Sequence, residues 1–303
     1  MFSQSIVALV TPFNNDNKID FSVLASLLEW HIASGTKGVV LAGTTGESAT
    51  LSIDEKVALA EFSVKQVKGR LKILVGNGSN NTAEAVFLTN RLNKLDIDGY
   101  LTVTPYYNKP TDEGLFAHFS TIAAATELPI ILYNVPSRTL CDMTNEIVIR
   151  LSELNNIVGL KDATADLSRV SLLRKRCKTN FMLLSGDDAS ALDYCLAGGD
   201  GVISVTANIA PKEISHIQYL LSLSTHSKAN IEQAKTLDAQ LASLHQGLFI
   251  ESNPIPVKWA LYWMNKLTNA QLRLPLLTLS EDAQRILEQQ LKNCGIKQYP
   301  QES

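Results

Sequence analysis

The sequence predicts an α/β chain: a (β/α)8 barrel, the TIM-barrel architecture, with a C-terminal helical extension. Three observations carry this. Short runs rich in Val, Ile and Leu recur eight times, and each is continuous rather than alternating, as strands buried on both faces require. Amphipathic stretches with apolar residues at helical spacing lie between them. After Pro211 only the helical pattern continues.

Taken in order, the runs are "SIVALV" from 5, "GVVLA" from 38, "KILVG" from 72, "GYLTV" from 99, "PIILY" from 129, "NIVGL" from 156, "FMLLS" from 181 and "GVISV" from 201. "FSVLASLLEWHIAS" and "DEKVALAEFSVKQV" exemplify the intervening helices, the second preceded by a capping-box signature at Ser52 and Glu55. Eight regular units favour closure over an open doubly wound sheet. The last barrel helix is expected within 212–224, in "KEISHIQYLLSL", with about three helices beyond it, ending in "EDAQRILEQQLKN". The division falls between a barrel over 1–224 and a helical region over 225–303. No low-complexity linker separates the two, so the extension is expected to pack on the barrel.

Of the 303 residues, 45% are hydrophobic and 19% charged, ample for a core, which excludes a disordered chain. A formal charge of -3 offers no case for nucleic acid or an anionic membrane. The N-terminal "MFSQSIVALVTPFNND" has no basic leader, and its apolar run is too short to span a bilayer. Cys141, Cys177, Cys195 and Cys294 show no CxxC pairing and are expected to be reduced thiols, so the expected location is the cytoplasm.

In such barrels the active site gathers at the C-terminal ends of the strands. Those ends offer Thr44, Thr45 and Gly46; Gly76, Asn77 and Gly78; Tyr106 and Tyr107; Tyr133, Asn134 and Arg138; Lys161; and Gly186 and Asp187. Taken alone, Lys161 reads as a salt-bridge partner of Asp162 or a chain that reaches solvent. Its company points elsewhere. An amine against an apolar wall has its neutral form favoured, and a neutral lysine attacks ketones to give an imine that acts as an electron sink. Tyr133 suits proton transfer if another hydroxyl relays the proton, and Thr44 both donates and accepts. Arg138 suits a bidentate grip on a substrate carboxylate.

Two tempting motifs fail. "AGTTGES" has Glu47 where a phosphate loop needs Lys, and the lone GxG of "GNGSNNT" is too weak for a dinucleotide. His31, His118, His216, His226 and His245 all fall in expected helices or the C-terminal region, so no metal is expected to be required.

"GTTGESATL" at 43–51, "TPYYNKP" at 104–110, "YNVPSRT" at 133–139, "GLKDAT" at 159–164 and "SGDDASAL" at 185–192 resemble the dihydrodipicolinate synthases. "GVISVTAN" at 201–208 and "NPIPVKWAL" at 253–261 extend the likeness over nearly the whole chain. The Lys and the YN-P core are shared with the wider pyruvate-dependent class I aldolases. The "SRT", the double tyrosine and "GTTGESATL" look specific to the synthases. The resemblance implies condensation of pyruvate with L-aspartate 4-semialdehyde in a homotetramer, a dimer of dimers, with no cofactor. It implies Lys161 as the Schiff-base lysine, Tyr133 as proton donor and acceptor, Thr44 as relay, and Tyr107 as a relay reaching in from the neighbouring subunit. Thr45 matches the pyruvate carboxylate site, Ile203 lies against pyruvate, Gly186 lines the site, and Arg138 holds the aldehyde's carboxylate. An effector site for L-lysine is implied at Ser48, Ala49, Asn80, Glu84 and Tyr106, where Ile53 and Lys56 depart from the histidines of strongly inhibited members.

Two rivals stand beside this reading. A lyase for sialic or keto-deoxy sugar acids would need hydroxyl-binding groups where Arg138 offers a carboxylate clamp. A barrel that only binds an effector would have no need of an imine-forming lysine.

Overall fold

The computed structural model describes residues 2–223 and 227–300. Eight strands, β1 (Gln4–Ala8), β2 (Gly38–Leu41), β3 (Lys72–Gly76), β4 (Gly99–Val103), β5 (Ile130–Asn134), β6 (Ile157–Asp162), β7 (Met182–Ser185) and β8 (Gly201–Ser204), pair in parallel in chain order. β8 returns to β1, with Ile6 opposite Ile203, and closes the barrel. Every predicted run overlaps its strand, although β1 begins one residue before its run, β5 ends one residue after its run and β6 two residues after.

The helices are α1 (Phe21–Ala33), α2 (Ile53–Val67), α3 (Thr82–Leu92), α4 (Asp112–Ala123), α5 (Pro136–Thr139), α6 (Asn145–Ser152), α7 (Ser168–Arg176), α8 (Ala191–Leu196), α9 (Pro211–Ser222), α10 (Lys228–Gly247), α11 (Ile255–Trp263) and α12 (Glu281–Asn293). The capping box at α2 forms as expected: Ser52 Oγ accepts from the Glu55 amide, and Glu55 accepts from the Ser52 amide at 2.8 Å. The expected last barrel helix is α9, which begins one residue before the predicted 212–224 span and ends two residues short of it. The boundary between 224 and 225, and His226, lie outside the described residues. Three helices follow, with α10 packed on α9 and on α12. Among the described residues no helix is long and apolar enough to cross a membrane.

Period-two alternation builds two apolar layers. Ile6, Val40, Ile131, Tyr133, Leu184 and Ile203 point inward and fill the barrel. Val7, Val39, Leu132, Leu160, Leu183 and Val202 point outward against the helices. This alternation decides where the chemistry sits. Leu160 faces out, so Lys161 faces in, and its Cα pairs with that of Tyr133 on β5 and that of Leu184 on β7.

Candidate active site

Lys161 is 5% exposed, and its ammonium nitrogen lies 4.2 Å from the centroid of the Tyr133 ring. The register explains the contact, since neighbouring inward positions at one level of a parallel pair bring their side chains together. Asp162, the next residue, faces the outer layer. There its carboxylate accepts from Arg169 Nε at 2.9 Å and from the Thr164 amide at 3.1 Å. The simple salt bridge between neighbours is thereby removed. Gly186, after β7, makes room for the lysine stem: a Cβ there would stand 3.0 Å from Lys161 Cε and 2.8 Å from the Ala163 methyl.

The turn after β2 carries Thr44 and Thr45. Thr11 Oγ1 donates to the Gly46 carbonyl at 2.7 Å, and the Glu47 amide donates to the Thr44 carbonyl. Glu47 takes a left-handed backbone (φ +56°) and turns its carboxylate inward, where it is 4% exposed. Lys258 of α11, fully buried, meets it at 2.5 Å, donates also to the Gln271 carbonyl, and lies over the Phe13 ring. Burial pulls the Lys258 ammonium down to about 8 against the opposing pull of Glu47. Two desolvated charges contribute little net stability; what the pair supplies is the position of the turn. Arg273 reinforces it, giving its amide to Glu47 and its guanidinium to both oxygens of Glu55.

Arg138 sits in α5, a single turn opened by Pro136 at its first position, rather than directly at the end of β5. Its Nη2 donates to the Asn253 carbonyl at 3.2 Å. Asn253 Nδ2 in turn donates to Thr45 Oγ1 at 3.0 Å.

Thr44, Thr45, Tyr133, Arg138, Lys161 and Gly186 line one cavity of about 570 Å³ at the C-terminal mouth of the barrel. Ile203 lies in the apolar layer that also holds Tyr133, at 1% exposure, without lining the cavity wall. Tyr107 is not brought to the cavity. It is 87% exposed, with a left-handed backbone (φ +76°), and only its amide touches the mouth, through the Thr139 carbonyl at 3.4 Å. Asn253, Ser252 and Phe249 also line the cavity and were missed as site residues. "NPIPVKWAL" was the available signal, but no local pattern says that it meets a turn 208 residues away.

A second, smaller cavity of about 110 Å³ is lined by Ser48, Ala49, Ile53, Lys56, Glu84 and Tyr106, among others. Asn80 stands at its edge and donates to the Tyr106 carbonyl. Burial lowers the Lys56 ammonium's pKa while Glu84 opposes the shift. Among the described residues no three His, Cys, Asp or Glu side chains cluster as metal ligands. His31, His118 and His245 instead contact Thr36, Thr82 and Thr206.

A lysine buried at the mouth of a closed (β/α)8 barrel, against a tyrosine and in a cavity shared with a threonine turn and an arginine, defines a lyase that works through a Schiff base. The chain belongs to the dihydrodipicolinate synthetase family, whose model matches residues 1–294. It is 49% identical over 296 residues to a 4-hydroxy-tetrahydrodipicolinate synthase of Alcanivorax borkumensis, covering 98% of this chain and 99% of that one. It is 50% identical over 293 residues to the enzyme of that name from Ruthia magnifica, covering 96% and 97%. Among solved structures, the chloride-inhibited dihydrodipicolinate synthase of Acinetobacter baumannii complexed with pyruvate superposes with a TM-score of 0.93 at 46% identity, covering 98% of this chain and 100% of that one.

Proposed function

We propose that the chain condenses pyruvate with L-aspartate 4-semialdehyde to 4-hydroxy-tetrahydrodipicolinate, the committed step toward diaminopimelate and lysine, in the cytoplasm and as a homotetramer. The observation that carries the reading is Lys161, buried on the Tyr133 ring in a cavity that also holds Thr45 and Arg138. Two separate anion-binding groups suit two substrates that each bring a carboxylate. The Acinetobacter baumannii relative, solved in complex with pyruvate, supports pyruvate as one of the two substrates.

Pyruvate's carboxylate lies on Thr45 and the amides of its turn, with Ile203 beneath the bound molecule. Lys161 adds to the ketone carbon, and the ketone oxygen leaves as water to give the imine. Tyr133 removes a methyl proton to form the enamine, passing protons through Thr44 and the partner subunit's Tyr107. The enamine carbon attacks the aldehyde, whose carboxylate Arg138 holds beside Gly186, and the resulting alkoxide takes a proton. The substrate's own amine then attacks the imine carbon, closes the ring and expels Lys161. Burial of the lysine keeps solvent from the imine until the ring closes.

Borohydride added with pyruvate should reduce the imine and leave one pyruvyl adduct on Lys161, found by mass spectrometry, with loss of activity. No adduct, or one on another lysine, would overturn the reading. Lys161→Arg should fold normally and lose most turnover, because a guanidinium stays protonated and forms no imine.

A further inference from the structure

We propose that Asn253, supplied by the C-terminal region, accepts a hydrogen bond from the α-ammonium group of the aldehyde substrate. This rests on the function proposed above, which requires an amino aldehyde. Asn253 is 5% exposed and lines the cavity. Its Nδ2 is spent on Thr45 Oγ1 and its carbonyl oxygen on Arg138 Nη2. Its side-chain Oδ1 is buried with no partner among the described residues. Buried polar atoms are nearly always paired, because an unmade hydrogen bond in a dry site leaves the desolvation cost uncompensated. An orphan acceptor on the wall of a substrate cavity therefore marks where a donor arrives.

The substrate's chemistry says which donor. In an α-amino acid the carboxylate and the ammonium share one carbon, so a carboxylate held by Arg138 places the ammonium within a few ångströms of that guanidinium. Asn253 touches Arg138 directly. The rest of the polar wall is rich in donors: Arg138, Lys161 and the Thr45 turn repel or ignore an ammonium. Asp187 also lines the cavity, with its Oδ2 engaged by the Ser190 amide and hydroxyl at 3.0 and 2.6 Å; it is only half-buried, so its other oxygen can be satisfied by water and does not call for a substrate donor as the buried Asn253 Oδ1 does.

A neutral acceptor also suits the last step. The amine must give up a proton before it attacks the imine carbon. A carboxylate would hold that proton by charge, whereas an amide orients the nitrogen and lets the proton go.

The test compares the KM of L-aspartate 4-semialdehyde with the inhibition constant of succinate semialdehyde, the same four-carbon acid without the amine, both at saturating pyruvate. Asn253→Ala should raise the first roughly 10- to 100-fold, the usual range for a lost hydrogen bond to a charged group. The second should move by less than about threefold on the same scale. Asn253→Asp should shift the ratio the opposite way, favouring the amino aldehyde, while kcat falls about tenfold or more. Should the alanine variant fail to fold, the nearly isosteric aspartate variant decides by the same ratio. A ratio unchanged in either variant, or moved in the same direction by both, overturns the assignment. A wild type that does not condense pyruvate with the aldehyde refutes the proposed function instead, and that result is distinct.

Discussion

His31 and His118 are held neutral by burial, with values drawn down from 6.5 to about 3 and about 4. Each places one ring nitrogen on a threonine hydroxyl and leaves Nε2 buried without a partner among the described residues. Protonation would add a charge that nothing receives. In the unfolded chain both titrate near 6.5, so below that pH the unfolded state binds more protons than the folded one. Their contribution is therefore complete above pH 6.5 and is lost as the pH falls toward 4 and 3. Each proton withheld costs about 1.4 kcal/mol per pH unit, or about 2 kcal/mol for His31 at pH 5. Denaturant unfolding at pH 7.5 and pH 5 should show His31→Gln losing less stability on acidification than the wild type. Equal losses would place the acid sensitivity elsewhere. At this scale much of the site was legible in the sequence, because Lys161 closes a predicted strand at the end where such barrels gather their chemistry. Asn253 was not, because its role depends on a contact between segments that lie far apart along the chain.

The β2–α2 loop, α2 and α3 together build the small cavity around Glu84 and Lys56. The resemblance implies an effector's ammonium beside Glu84, yet Lys56 already brings a cation there, and Ser79 Oγ takes one of the Glu84 oxygens at 2.6 Å. Two like charges about 4 Å apart repel by up to roughly 4 kcal/mol at an effective dielectric near 20. About a third of that costs tenfold in affinity. L-Lysine is therefore expected to inhibit weakly or not at all, and Lys56→His to gain partial sensitivity. A lysine titration with half-inhibition well below millimolar would show that the remaining residues suffice. Elements were the most legible level: strands, the capping box and the three trailing helices follow from periodicity and caps. The single turn of α5 did not, since four residues are too few to carry a period.

For the whole molecule, Tyr107 makes the decisive observation. The tyrosine that the resemblance assigns to the proton relay stands 87% exposed, on a left-handed backbone, and does not line the cavity. Under the proposed mechanism it would serve a neighbour's site. Tyr107→Phe and Lys161→Ala are each expected to be nearly inactive alone. Mixed under conditions of subunit exchange, they should recover activity, because one site in each hybrid then holds both an intact lysine and its partner's intact tyrosine. No recovery with exchange proven by mass would refute the crossed arrangement. Surface exposure of this kind cannot be read from sequence pattern, which reports periodicity but not how far a loop side chain stands out from the fold.

The ion pair between Glu47 and Lys258, with Arg273 closing on Glu55, ties a turn near the start of the chain to a region near its end. Removing one member of such a pair leaves a stranded buried charge, at a cost of about 3–5 kcal/mol. For recombination between relatives this makes residues 47–55 and 258–273 a single unit of inheritance. A crossover placed anywhere between them would graft one protein's turn onto another's tail, and the chimera would carry its parents' mismatch beside the Thr45 turn that lines the cavity.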